Sequence, residues 1–128
     1  MKNKLLPLLY VAACLFPLSV PVLAHHGLAA YDLTHPLTMT GTVKLFQFFQ
    51  PHALIIFEVK DEEGHSVEWS VEMASPTHLS LYGWSAKKLK LGDQITVTGA
   101  PARNGQKVLT LLKISWTGGE EIPLGPSR

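Results

Sequence analysis

The sequence contains a single cysteine among its 128 residues, Cys14, which lies in an apolar N-terminal segment. One cysteine forms no internal disulfide and no cluster of thiolate metal ligands. Excess basic charge is also small, because the chain has 11 lysine and arginine residues and 10 acidic residues. Proteins that bind nucleic acids electrostatically carry a clustered basic face. We therefore expect no nucleic acid partner.

Motifs of common enzymes are also missing. The chain has no Gly-x-Ser-x-Gly motif, no phosphate-binding loop and no His-Glu-x-x-His motif. Glu58, Glu68 and Glu72 are candidates for paired carboxylates, but they alternate with apolar residues, which is typical of a solvated strand face. We therefore expect a protein that is not an enzyme.

Residues 1–24 have the three regions of a secretory signal. Lys2 and Lys4 supply a basic start, and no charged residue follows before the small residue Ala24. A membrane span needs about 20 apolar residues, whereas three prolines interrupt this stretch. We predict cleavage after Ala24, which leaves 104 of the 128 residues in the periplasm or outside the cell, without a membrane span. The alternative is lipoprotein processing at Cys14, since Val11-Ala12-Ala13-Cys14 resembles a lipoprotein box.

The mature length suits one domain with a single core, and alternating apolar residues predict five strands in it. We predict an N-terminal segment (25–36), a barrel domain (37–117) and an irregular tail (118–128). The predicted strands cover 37–47, 53–60, 66–73, 94–100 and 107–116. In the first strand, Leu37, Met39, Gly41, Val43 and Leu45 share the inward face, and Gly41 indicates a bend or bulge.

A short helix from Pro76 to Tyr82 is predicted between strands three and four, because Ser75-Pro76 is a good helix start. Asn104-Gly105 is a strong hairpin signal before strand five. This order of elements favours an all-β fold, a small five-stranded OB-like barrel. A short β-sandwich is the alternative.

The mature chain starts at His25, followed by His26, if cleavage occurs after Ala24. His25 then carries a free α-amine and an imidazole on one residue, which together chelate a transition metal. Copper(II) is the strongest divalent competitor for such nitrogen ligands. His52, at the entry to the second strand, is the best candidate for a third nitrogen, and His26 is the other. We predict a copper-binding protein for metal handling, whose partner is a metal-transfer protein or a membrane-bound oxidoreductase.

The remaining histidines carry weaker signals. His35 lies in a turn, His65 in a hairpin, and His78 on the short helix, where we expect an exposed side chain. Glu72 is expected to face water, although it remains a candidate supporting residue of the site. Copper redox activity is the one enzymatic alternative.

The aromatic cluster between strands one and two supports a second function. In OB domains this loop binds ligands by stacking, so Phe46, Phe48 and Phe49 define an alternative, metal-free interaction module for a protein, peptide or glycan. Core packing is the expected use of Phe46 and Phe48, because the surrounding sequence is not basic.

Several motifs together resemble a family of small secreted bacterial proteins classed as a domain of unknown function. They are Ala24-His25-His26-Gly27, Thr40-Gly41-Thr42-Val43, Pro51-His52-Ala53, Trp69-Ser70-Val71-Glu72, Ser75-Pro76, Gly83-Trp84, Leu91-Gly92-Asp93 and Val97-Thr98-Gly99-Ala100-Pro101-Ala102. The resemblance implies matched polar positions at His25, His26, Asp32, His52 and Glu72, with Asp32 and Glu72 as supporting residues. It implies no activity. Gly27 and Leu28 depart from the Ser-Phe that is usual in the family.

Overall fold

The computed structural model describes residues 27–125, in which five strands close into a barrel. The strands are β1 (Leu37–Gln47), β2 (Leu54–Lys60), β3 (Ser66–Glu72), β4 (Gln94–Pro101) and β5 (Val108–Trp116). Their order around the barrel is β1-β2-β3-β5-β4, with β4 pairing back onto β1. Only the short β3–β5 contact is parallel. The predicted all-β, five-stranded OB-like barrel is confirmed, and a β-sandwich is not formed.

Strand β1 pairs with two neighbouring strands along its length. Its first half pairs with β4 and its second half with β2, and Thr42 faces a residue of each. Gly41 makes this bend possible, because a Cβ there would collide with the Glu58 carbonyl oxygen and lie 2.8 Å from Phe57 Cδ2.

The register shift of β1 lies between Val43 and Leu45, beyond Gly41. An extra residue in one strand shifts the alternation by one position, so each residue after it points to the opposite face of the sheet. Leu45, predicted to face inward, is therefore 42% exposed, while Phe46 packs against the core. The predicted orientation of Leu45 is wrong for this reason.

The barrel interior is filled by alternate residues of the strands, as period-2 patterning requires. Eight strand side chains of this core have no exposed surface: Val43, Ile55, Phe57, Val71, Ile95, Val97, Leu109 and Ile114. Trp69 and Trp116 are partly buried and pack against this core.

Helix α1 (Pro76–Ser80) lies between β3 and β4. Ser75 caps it, since the His78 backbone N–H donates to Ser75 Oγ at 3.2 Å, and Pro76 occupies the first turn. The helix ends two residues before the predicted Tyr82, and the turn that follows contains Gly83 at φ +83°. No helix within residues 27–125 is long and apolar enough to cross a membrane.

The segments before and after the barrel both pack against it. A 3₁₀ turn at Leu28–Ala30 precedes Tyr31, which is 5% exposed and forms a β-bridge with Ala102. In the tail, Ile122 is 2% exposed, and Trp84 Nε1–H donates to the Pro123 carbonyl oxygen at 2.7 Å. Although largely irregular, the tail therefore belongs to the packed domain.

Candidate functional site

A pocket of about 540 Å³ lies beside the barrel, where both ends of the described chain meet β3, β5 and α1. Its polar lining consists of Tyr31, His52, Glu72, Ser75, His78 and Thr110. Its apolar wall includes Leu28, Leu79, Leu111, Leu112 and Leu124. An apolar concavity with a few convergent polar groups is the usual form of a ligand site. This pocket is therefore the candidate functional site.

Tyr31 and Glu72 form a hydrogen-bonded pair in the pocket. Tyr31 donates its phenolic O–H to Glu72 Oε2 at 2.5 Å. Burial raises the pKa of Tyr31 above its ordinary value, and the hydrogen bond to Glu72 and the negative charge of Glu72 add to the rise. Glu72 was expected to face water but lines the pocket, half-buried. It is the only Asp or Glu among the pocket-lining residues.

His52 lies just before β2, and one nitrogen of its ring contacts the backbone. Nδ1 is 3.2 Å from the Met73 carbonyl oxygen. A carbonyl oxygen only accepts, so Nδ1 carries the hydrogen, and in the neutral ring Nε2 keeps its lone pair. Histidines that bind metals commonly donate their other ring N–H to such an acceptor. The local structure of His52 therefore suits a metal ligand.

His78 lines the same pocket from α1, half-buried, with its ring centroid 5.3 Å from that of Tyr82. The sequence favoured an exposed helical histidine, so its place in the pocket was missed. The short connection in the sequence could have indicated this position. Helix α1 begins four residues after Glu72, so it must lie beside the end of β3.

The other predicted residues lie apart from the pocket. The Asp32 carboxylate accepts from the Thr34 hydroxyl at 2.6 Å and contacts His35 Nδ1 at 2.9 Å. The hydrogen bond from Thr34, and after it the one from His35, hold the pKa of Asp32 well below its usual value. Asp32 is not among the pocket-lining residues. His65 is exposed beside Asp61 and Glu63.

His25 and His26 fall outside the residues that the structure describes. Gly27, which follows His26 in the chain, is one of the residues that line the pocket. In the described range 27–125, no three His, Cys, Asp or Glu side chains are grouped closely enough to hold a metal ion.

The aromatic loop is divided between the core and the surface. Phe46 and Phe48 pack against the core with ring centroids 5.8 Å apart, and the Phe46 ring is 5.9 Å from that of Trp84. Phe49 is 70% exposed. The loop therefore presents one exposed aromatic ring in place of a three-residue stacking surface.

A model of a family of unknown function, DUF6152, matches residues 13–110, about three quarters of the chain. The chain belongs to this family. The matched range contains the positions of His25, His26, Asp32, His52 and Glu72, while the motifs at those positions stay a prediction. No curated protein matches this family member significantly.

Three solved structures are similar to the barrel of this DUF6152 protein. The mitochondrial single-stranded DNA binding protein Rim1 of S. cerevisiae is 11% identical, with a TM-score of 0.49 over 65% of this chain and 94% of that one. A small single-stranded DNA-binding protein from Streptomyces coelicolor is 19% identical (TM-score 0.43, 64% and 93%). TiaS, in a complex with a tRNA and ATP, is 19% identical (TM-score 0.43, 64% and 18%). At these values the likenesses carry no functional argument.

Proposed function

We propose that this protein binds copper in the periplasm or outside the cell, through the free α-amine and imidazole of His25 together with His52. The observation that carries the proposal is the position of Gly27. This residue follows His26 directly in the chain, and it lines the same pocket as His52 and Glu72.

The distances that a chain can span support this arrangement. Consecutive Cα atoms lie about 3.8 Å apart, so the His25 Cα lies within about 7.6 Å of the Gly27 Cα. Gly27 and His52 line the same pocket, which has a volume of about 540 Å³. A mature N-terminus at His25 would therefore begin two residues from the wall of the pocket that contains His52.

The chemistry of the donors favours copper. An α-amine has an ordinary pKa of about 7.7–8.0, so its proton is displaced at little cost near neutral pH. A neutral imidazole with Nδ1 donating to the Met73 carbonyl oxygen offers Nε2 to the metal. Three nitrogen ligands suit copper(II), which binds such sites more tightly than the other divalent first-row metals. His26 is the alternative third ligand.

Metal handling is the use that fits these features. A nitrogen site at a chain terminus, beside an open pocket, is accessible to a second protein. We propose transfer of copper to or from a partner, such as a metal-transfer protein or a membrane-bound oxidoreductase.

Copper titration of the mature protein that begins at His25 tests the proposal. We expect sub-micromolar affinity, weakened about tenfold or more by His25→Ala and by His52→Ala. His65→Ala is the matched control, because this exposed hairpin histidine lies apart from the pocket, and it should leave the affinity unchanged. Equal affinities for the native protein and His25→Ala would refute the proposal.

If His25→Ala weakens binding and His52→Ala does not, the third nitrogen comes from elsewhere, and His26→Ala identifies or excludes the alternative ligand.

A further inference from the structure

The negative charge of Glu72 has no basic partner among the described residues. None of the lysine or arginine side chains in residues 27–125 forms a salt bridge with Glu72, and none lines the pocket. Tyr31 hydrogen-bonds Oε2 only, and no second side-chain hydrogen bond to Glu72 occurs within this range. A half-buried carboxylate in a largely apolar pocket favours a cationic partner.

We infer that this pocket is the docking site for the chain's own mature N-terminus, with the α-ammonium group of His25 forming an ion pair with Glu72 in the metal-free protein. This inference rests on the cleavage after Ala24 that the proposed function also requires. The occupant is the segment His25-His26, which joins the pocket wall at Gly27.

Charge and reach support this occupant. A free α-amine is cationic below its ordinary pKa of about 7.7–8.0, and Glu72 is the only acidic side chain in the pocket lining. The α-nitrogen of His25 lies within about 9 Å of the Gly27 Cα, and Gly27 and Glu72 line the same pocket. The mature terminus would therefore start beside the pocket that contains the Glu72 carboxylate.

With this ion pair, removal of the signal peptide changes how the N-terminus interacts with the pocket. Before cleavage the nitrogen of His25 is an uncharged amide, which cannot pair with Glu72 as a cation. After cleavage the ammonium group holds the terminus in the pocket, close to His52. Copper then replaces the proton on the amine, and the remaining amine N–H groups can donate to Glu72. In this arrangement Glu72 is a positioning residue for the metal site.

The test uses metal-free protein in the presence of a chelator, so it does not depend on copper affinity. The mature chain with a free amine is compared with the same chain acetylated at the α-nitrogen, which removes the charge and preserves the length. We expect acetylation to lower the Tm by about 2–5 °C, the range for a partly buried ion pair in a domain of this size.

Glu72→Gln is the decisive variant, because its amide oxygen still accepts from Tyr31 while the charge is lost. We expect acetylation to leave the Tm of Glu72→Gln unchanged. Glu68→Gln is the matched control: it removes a carboxylate from the exposed part of the same strand, and acetylation should lower its Tm as in the native chain. An equal effect of acetylation in all three proteins, or no effect in any, would overturn the inference.

A second measurement covers the case in which Glu72→Gln does not fold. In the native sequence, acetylation should shift the NMR signals of the Tyr31 ring, because Tyr31 bonds the same carboxylate. Unchanged Tyr31 signals contradict the inference. If the ion pair is absent but copper still binds through His25, the docking inference fails and the proposed function stands.

Discussion

Tyr31, in the segment before the barrel, donates a hydrogen bond to Glu72 at the end of β3, at 2.5 Å. The two residues are separated by 41 positions in sequence. The bond anchors the N-terminal segment to the pocket wall and orients the only carboxylate of the pocket. The position of residues 27–30 therefore depends on this contact and on the β-bridge between Tyr31 and Ala102.

Replacement of Tyr31 by phenylalanine tests the structural contribution of the bond. Tyr31→Phe keeps the buried ring and removes only the hydroxyl, so we expect the free energy of unfolding to fall by about 1–2 kcal/mol. Urea unfolding measures the change. Tyr82→Phe is the control, because no side-chain hydrogen bond from Tyr82 occurs in residues 27–125, and it should be nearly neutral.

The same bond makes stability depend on alkaline pH. Tyr31 has a pKa raised above its ordinary value of 10.0 in the folded protein. A raised pKa means that the folded state holds the proton more tightly than the unfolded state. The contribution of protonated Tyr31 to the free energy of unfolding is therefore complete below about pH 10. It is lost as the pH rises through the pKa of Tyr31 in the folded protein.

We expect the stability advantage of the native protein over Tyr31→Phe to be constant from about pH 8 to 10 and to shrink above that range. Urea unfolding of both proteins at each pH gives the difference, which cancels the titration of lysines common to both. A difference that stays constant up to about pH 11 contradicts this account.

The aromatic loop should show two opposite responses to alanine substitution. Phe46→Ala removes a ring that packs on Trp84 and the core, so we expect a loss of about 2–3 kcal/mol. Phe49→Ala removes a ring that is 70% exposed, and the change should stay within about 0.5 kcal/mol. Thermal unfolding followed by circular dichroism distinguishes the two. Similar losses for both would mean that Phe49 is also packed.

The C-terminal tail should contribute measurably to stability. Ile122 is 2% exposed, so Ile122→Ala should cost about 2–4 kcal/mol. Its neighbour Glu121 is exposed and forms only a surface ion pair with Lys113, 3.2 Å away, so Glu121→Ala should cost less than about 1 kcal/mol. If chemical denaturation shows Ile122→Ala to be as stable as Glu121→Ala, the tail does not pack as described.

Local patterns were sufficient to predict the barrel. Each strand boundary lies within one residue of its predicted position, because alternation and turn residues mark both ends of every strand. Which residues after Val43 face inward was not predictable. Leu45 and Phe46 are both apolar, so an alternating pattern with either residue inward fits the sequence. Only the pairing with β2 reveals the register shift there.

The candidate site was predictable only in part, because a pocket depends on contacts between distant segments. His52 was identified from its place at a strand entry and from the resemblance to the family. Its proximity to Glu72 and His78 follows from the pairing of β2 with β3 and from the position of α1. Tyr31 carried no signal as a partner of Glu72, since the pair forms through a long-range contact alone.

The most direct test of the central claim is a competition titration with copper(II) on two forms of the mature protein. One form has the free α-amine of His25, and the other is acetylated at that nitrogen, so every side chain is the same. We predict sub-micromolar affinity for the free amine and affinity at least about tenfold weaker after acetylation, because one chelating nitrogen is lost. Equal copper affinity in the two forms would contradict the account.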